Sequence, residues 1–420
     1  MKKVTLAIVG AGMRGMIYSD IAFDNSDKFE IVAVAEPILA RREYIKKKNN
    51  LPDEMCFNGY EEFFKAPKLA DAVMICTQDN MHYVPTMQAI EKGYDILLEK
   101  PIAPTAKECL EIKNAANEKG VKVVVCHVLR YTGFFQKIKS ILDSGEIGEI
   151  VSIAHNENVG DYHYAHSFAR GAWRNTKESS PMILAKSCHD LDILQWMIGS
   201  KCKKLSSFGS LKYFCAKNAP KDSPMRCTDG CPHSDSCPYD AVKEYTAGNE
   251  WFSETVTKTI KPTQEEVSKA LKTSQYGKCV FKCDNDVVDH QVVNMEFEDG
   301  VTAAFTMCAF TSDISRTLKI MGTKGELRAA MRDDISISTT NFLTNETTEI
   351  DIETAEGHVG HGGGDGGIMQ ALYKILTGDS ENVPVSDINI SCANHLLCFA
   401  SEKSRLSGEV VDLDEFVTEV

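Results

Sequence analysis

The first hundred residues constrain this chain more than any other stretch. An apolar run at 4–9 opens into the glycine turn GAGMRG at 10–15, and a second apolar run closes on Glu36. A third run ends in ICTQDNMH at 75–82, and a fourth, DILLEKP, ends in Glu99, Lys100 and Pro101. Strand, glycine turn, helix and an acid about 20 residues further on is the order in which a fold binds a dinucleotide. Within it, Gly10 permits the tight turn, Gly12 lets backbone approach a pyrophosphate, and Gly15 lets helix pack on strand. The helix start at Met13 and Arg14 offers free N–H groups and the positive end of a dipole to phosphate. Glu36 can accept hydrogen bonds from ribose hydroxyls and repels a 2′-phosphate, which favours NAD over NADP. Arg41 and Arg42 behind it either attract such a phosphate or form a solvated helix face.

Apolar runs at 4–9, 30–35, 71–77, 95–99 and 122–127 alternate with helical patterns at 13–23, 39–49, 81–92 and 105–119. That alternation predicts an N-terminal α/β domain of Rossmann type, a doubly wound parallel sheet with its ligand at the carboxyl ends of the strands. The 420 residues exceed one ordinary core, so a dinucleotide-binding domain at 1–125 and a second domain at 126–420 are expected. After Gly148, strand-like segments follow one another with few helices, several joined by Asp-Gly or Lys-Gly turns. This texture predicts a C-terminal α+β domain on a large, mostly antiparallel open sheet, with one helix at 189–198. Residues 211–285 read as a polar, cysteine-bearing insertion, and GHGGGDGG at 360–367 as a flexible loop before a helix starting at Ile368.

Hydrophobic residues make up 43% and charged residues 25%, as in soluble globular proteins. A net charge of −14 without a basic tract argues against a nucleic-acid partner. No apolar run approaches the ~20 residues that span a bilayer. The run behind the two N-terminal lysines is too short for a secretory signal and flows into the glycine turn. The cytoplasm is the expected location, and a small molecule the expected partner. Cys76, Cys126, Cys188 and Cys308, within apolar runs, read as free thiols.

Lys100 stands at the end of a strand, before a proline, where it can hydrogen-bond a substrate hydroxyl and help move its proton. Together, GAGMRG, Glu36, CTQDNMH, LLEKP, LRY and HDLDIL resemble the Gfo/Idh/MocA oxidoreductases, named for glucose–fructose oxidoreductase, inositol dehydrogenase and a rhizopine catabolism protein. The resemblance implies a Rossmann domain, a C-terminal domain with an open sheet, oligomers built through that sheet (a homodimer or homotetramer), and hydride transfer at a carbon of a sugar, polyol or inositol. It also implies that Lys100 and His189 work together, with Asp192 completing H-x-x-D. The implied cofactor contacts are Gly10, Gly12, Met13, Arg14, Gly15, Glu36, Thr77, Gln78, Asn80, His82, Glu99 and Lys100. Inositol dehydrogenase-like members carry an aspartate four residues before the histidine. Here Ala185 stands there and Lys186 follows, which points to an anionic group on the substrate.

Arg130 and Tyr131, and the loop residues His163, His166, Arg170, Trp173 and Arg174, fall where the family builds its sugar pocket. Such a density of aromatic and hydrogen-bonding groups suits a polar ring. His361 and Asp365 can reach the same pocket. Cys227, Cys231 and Cys237, with His233 close by, either form a structural zinc site or sit in a loop of free thiols. An alternative activity is a redox-neutral glycosidase or epimerase that keeps NAD bound. A third reading is a non-catalytic NAD-dependent sensor, against which the set Lys100, His189 and Arg174 speaks.

Overall fold

The computed structural model describes every residue except Met1, Lys2, Asp333, 353–360, 380–382 and Pro384. The first sheet contains β1 (Val4–Val9), β2 (Phe29–Ala35), β3 (Cys56–Phe57), β4 (Ala72–Ile75), β5 (Asp95–Leu98) and β6 (Val123–Val125). Its order is β3-β2-β1-β4-β5-β6 and every pairing is parallel. The expected doubly wound sheet is therefore present. The two-residue strand β3 was not among the five expected runs, because two residues carry no periodicity. Four strands are almost wholly buried, as a sheet covered on both faces requires. The strand order reverses at β1/β4, so their carboxyl ends leave a crevice.

The second sheet contains β7 (Ile150–Asn158), β8 (Cys202–Ser210), β9 (His290–Phe297), β10 (Thr302–Cys308), β11 (Ser315–Gly322), β12 (Gly325–Met331), β13 (Ser336–Asn341), β14 (Thr347–Glu349) and β15 (Val411–Asp412). Its order is β14-β13-β12-β11-β7-β10-β9-β8-β15. Only β7 and β10 pair in parallel; the other neighbours are antiparallel. Alternation is clear on the central strands β7, β9, β10 and β11. Ile153, Ala303, Phe305, Val293, Met295, Leu318 and Ile320 face a core shared with Phe134, Ile138, Leu191, Leu194 and Leu397. The other face carries small polar groups that bond across strands, such as Asn156 to Thr317 at 2.9 Å and Thr302 to Ser152 at 3.0 Å.

One expectation gains detail and one changes. The insertion contains three short helices: Ala241–Thr246, Glu250–Thr257 and Gln264–Leu271 close on a small core of Tyr245, Phe252, Val256, Val267, Leu271 and Tyr276. Its polar composition concealed this because each helix contributes only two or three apolar residues. The helix after the glycine-rich loop starts at Gly364, not Ile368, and runs to Thr377. Gly360 lies outside the described residues. Asp365 in the first turn is fully buried, and Ile368, Met369 and Leu372 join the core of the first sheet beside Leu6, Ile8 and Tyr18. A buried ion pair explains the early start. Arg14 donates to Asp365 from Nη1 at 3.0 Å and from Nη2 at 2.6 Å.

Removing Asp365 costs Arg14 two charge-assisted hydrogen bonds but leaves it Glu99. Asp365→Ala is expected to lower stability by about 2 kcal/mol in urea unfolding near neutral pH. Burial opposes ionisation of Asp365, yet hydrogen bonds from His361 and Arg14 hold its carboxyl down at about 2. A depressed carboxylate stabilises the fold above its unfolded value and loses that contribution as pH falls through the folded one. The wild-type advantage should therefore be complete above about pH 4 and shrink toward pH 2.

Candidate active site

The glycine turn has the shape that a dinucleotide needs. Gly10 has φ +91°, and a Cβ there would sit 2.7 Å from the Cys76 carbonyl carbon. A Cβ on Gly15 would sit 2.2 Å from the Gly10 oxygen. At Gly12, by contrast, nothing stands closer than the Arg41 guanidinium at 4.0 Å. The space over Gly12 is thus open on the side a pyrophosphate would take, and no side chain caps the helix Met13–Asp24 that begins there. These residues fit the expected cofactor.

Glu36 is buried. Its Oε2 accepts from Ala11 N at 2.7 Å and its Oε1 from Ile38 N at 2.9 Å. The carboxylate is thus pinned at the end of β2 with lone pairs to spare for ribose hydroxyls. Arg42 donates to the Glu36 carbonyl oxygen. Both arginines therefore lie at the adenosine end.

Arg14, a sequence candidate for cofactor contact, spends its guanidinium inside the protein. Besides Asp365 it donates from Nε to Glu99 at 2.8 Å, and Tyr18 Oη donates to the same Glu99 oxygen at 2.8 Å. Burial would raise the Glu99 carboxyl, but Arg14 beside it holds it below the usual range. His82 bridges two carbonyls, with Nδ1 2.6 Å from Pro101 and Nε2 3.1 Å from Thr77. It clips the end of β4 to the cis Lys100–Pro101 bond. Thr77 Oγ1 donates to Met81 O within the same turn, while Gln78 and Asn80 flank Asp79.

Lys100 Nζ donates to the carbonyl of Ala185 at 2.7 Å. This contact joins the end of β5 to the segment that leads into the helix Cys188–Ile198. His189, in the first turn of that helix, is buried and ringed by Lys100, His127, His361 and Arg316. Burial, then the positive charge of Lys100, pushes its imidazole well below 6.5. It is a neutral base at pH 7. His361 faces it with ring centroids 6.4 Å apart and is itself held by Asp365 at 3.3 Å. The structure thus brings Lys100, His189 and His361 together across 261 residues of sequence.

Beside them lies a buried charge cluster. Lys186 Nζ is 3.0 Å from Glu157 Oε1, Arg316 Nη2 is 2.6 Å from Glu157 Oε2, and Arg316 Nε is 2.8 Å from Asp190 Oδ1. His155 Nε2 lies 2.7 Å from the same Asp190 oxygen. Burial pushes Glu157 up despite its two cations; burial also acts on Asp190, but Arg316 holds that carboxyl down. Sequence reading missed Glu157 and Arg316. A signal was present, because Glu157 follows Ile153 and His155 on the buried register of β7. A charge on an apolar register needs a partner.

The remaining sequence candidates have protein partners. Arg130 grips Asp192 through Nε at 2.6 Å and Nη2 at 2.8 Å, and Asn394 donates to the same carboxylate. Tyr131 Oη pairs with Ser386 Oγ at 2.8 Å. Arg174 holds Asp284 at 2.9 and 3.0 Å. Trp173 Nε1 donates to Asp79 at 3.1 Å, and Asp79 also accepts from Ser179. His166 is buried among Tyr245, Phe252 and Tyr276, and Arg170 donates to the carbonyls of Lys278 and Tyr239. His163 lies under Trp251 of the insertion, centroids 5.2 Å apart, and faces Lys186 and Lys100. The insertion therefore reaches the site through Trp251, a residue the sequence reading did not single out.

Residues 4–127 match the family model described as oxidoreductase family, NAD-binding Rossmann fold, and residues 139–360 its C-terminal alpha/beta domain. The chain belongs to the Gfo/Idh/MocA oxidoreductases. The match to the Bacillus subtilis oxidoreductase YteT is 22% identical over 89% of each chain. An inositol 2-dehydrogenase of Corynebacterium glutamicum is 26% identical over 48% of this chain and 56% of its own length. An oxidoreductase from Agrobacterium radiobacter, solved with NAD+, L-tartaric acid and magnesium, superposes with a TM-score of 0.70 at 14% identity, covering 99% of both chains. That likeness shows the fold.

In this family member the zinc expectation is corrected. Among the described residues no three His, Cys, Asp or Glu side chains converge as a metal would require. His233 Nε2 faces the Lys221 carbonyl at 2.6 Å, and Cys227 lies against Arg170 at 3.9 Å. No helix among the described residues is long and apolar enough to cross a membrane.

The pinned carboxylate yields a prediction. NADH should bind more tightly than NADPH in fluorescence titration, and Glu36→Ser should narrow that ratio about tenfold, the factor carried by ~1.4 kcal/mol. A wild type that prefers NADPH overturns it.

Proposed function

We propose that this oxidoreductase is an NAD-dependent dehydrogenase acting on a secondary hydroxyl of a sugar, polyol, inositol or related derivative. The observation that carries the proposal is the Lys100–Ala185 bond, which holds the Lys100 cation beside the segment that leads to the neutral His189. Bound NAD supplies the hydride acceptor. Lys100 keeps two N–H donors beyond the one given to Ala185, enough to bind and orient a hydroxyl oxygen. His189 takes the hydroxyl proton, since a neutral imidazole is the better base near pH 7. Arg14 and Glu99 keep the end of β5 in place beneath Lys100. Lys186 keeps donors beyond its contact with Glu157, enough to hydrogen-bond a polar substituent of the substrate, and Trp251 offers a face for a sugar ring. The polar, uncovered face of the second sheet supports assembly of the chain with copies of itself.

A panel of inositols, aldoses and sugar acids with NAD and NADP, followed at 340 nm, identifies the substrate class. Net NADH supports the proposal. Turnover without it supports the redox-neutral reading instead. On the best substrate, Lys100→Met and His189→Ala should each lower kcat by about two to four decades, with NADH affinity unchanged. Their double mutant should fall far short of the product of the two. Near-wild-type turnover in either single variant removes that residue from the chemistry. Because His189 is held below 6.5, kcat/KM should stay flat as pH falls from about 8 through 6.5; a break at the ordinary histidine value argues against His189 as the base.

A further inference from the structure

A histidine can act as a directed base only if its proton is fixed on the other ring nitrogen. His189 poses this problem sharply. Its Nδ1 is buried and no protein group bonds it. Ala185, one turn earlier and already engaged through its carbonyl by Lys100, has no polar side chain to offer. One group stands beside it with the opposite need. His127, fully buried after β6, has both ring nitrogens without a hydrogen-bond partner. Its ring is perpendicular to that of His189, at 82° with centroids 5.7 Å apart.

The surroundings fix the direction of such a pair. On the far side of His127, 5.4 Å away between centroids, His395 has a settled tautomer. Its Nε2 accepts from Ile102 N at 3.0 Å and its Nδ1 lies 2.7 Å from the Ser391 carbonyl, so the proton is on Nδ1. His395 therefore offers His127 nothing. The Asp192 carboxylate, gripped by Arg130, lies 3.9 Å from His127 Nε2. An anion on that side favours the proton of His127 on Nε2 and leaves the Nδ1 lone pair as acceptor. With His127 Nε2 turned toward Asp192, the two remaining unpaired groups, His189 Nδ1 and His127 Nδ1, cost about 1–3 kcal/mol each, and a single bridge relieves both.

We infer that His127 is the positioning residue for His189: it accepts, directly or through one water, the Nδ1–H of His189, leaving Nε2 as the base that faces the substrate. The inference rests on the reading of His189 as the base. The Asp192–Arg130 pair then serves the site from a distance, by orienting His127 instead of touching substrate. The charged and titratable groups that face the pair are Lys100 and Glu99 from the end of β5, Arg130 from the segment after β6, Asp192 and Arg316 from the second domain, and His361 and His395 from the C-terminal segments.

The test reads the tautomer and needs no substrate. Full-length protein labelled with 15N-histidine gives long-range 1H–15N correlations that separate protonated from bare ring nitrogens, and His189→Gln assigns the His189 signals. Wild type should show His189 protonated at Nδ1. His127→Gln, which keeps an acceptor, should retain that form. His127→Leu, which fills the volume without one, should move the proton to Nε2 in most molecules. A wild-type His189 protonated at Nε2 overturns the inference even if the leucine variant fails to fold, and so does a leucine variant with an unchanged spectrum. On the substrate identified above, His127→Leu should also lower kcat about 10–100-fold with KM unchanged, and His127→Gln should restore most of the loss. If no substrate yields NADH, the proposed activity fails while the tautomer still reports on His127, so the two failures are distinguishable.

Discussion

Arg14 donates to Glu99 and Asp365 at once, and its partner Tyr18 donates to the same Glu99 oxygen. Three parts of the molecule meet in that knot. Arg14 and Tyr18 belong to the helix that starts on the glycine turn, Glu99 is the neighbour of Lys100, and Asp365 opens the helix after the glycine-rich loop that carries His361 to His189. The guanidinium is only partly exposed, so most of its hydrogen-bonding capacity is met inside the protein. Burial counts against its charge, and the surrounding acids and tyrosine restore it. Such a network adds little net stability over well-packed apolar groups, because desolvation consumes most of the attraction. Its value is placement: a shift of any one member leaves a buried charge unpaired, so the three segments keep one arrangement.

The second charge cluster works by the same rule with a different outcome. Lys186, Arg316, Glu157, Asp190 and His155 hold one another beneath the helix of His189. Cations outnumber anions near the His189 ring itself, and together with burial they keep it neutral. The protonation state of His189 therefore follows first from its burial and then from where the protein puts Lys100.

Much of this was legible in one dimension. The glycine turn, Glu36 and the alternation of runs announced the first sheet, because a parallel sheet buried on both faces writes itself as short apolar runs at regular intervals. The strand alternation after Gly148 announced the second. Lys100 and His189 were legible through their motif contexts. What failed to show has a common cause. Arg130 and Asp192, 62 residues apart, each look like a pocket residue until folding spends them on each other. Arg174 and Asp284 repeat the pattern at 110 residues, and His166 vanishes into the aromatic core of an insertion whose helices the composition concealed. The thiols of 227–237 looked like a ligand set because spacing was the only information available.

The sequence by itself determined the two sheets and the place of the glycine turn. These depend on local patterns: periodicity, glycine geometry and residue type at strand ends. Only the tertiary structure decided which polar side chains remain free. Hydrogen-bond valences and charges are satisfied by whatever lies within about 3 Å, and for Arg14 that group was Asp365, 351 residues away. It also set two buried, unpartnered imidazoles, His127 and His189, against each other. A linear chain cannot show that arrangement, because it exists only when burial has removed water as the alternative partner.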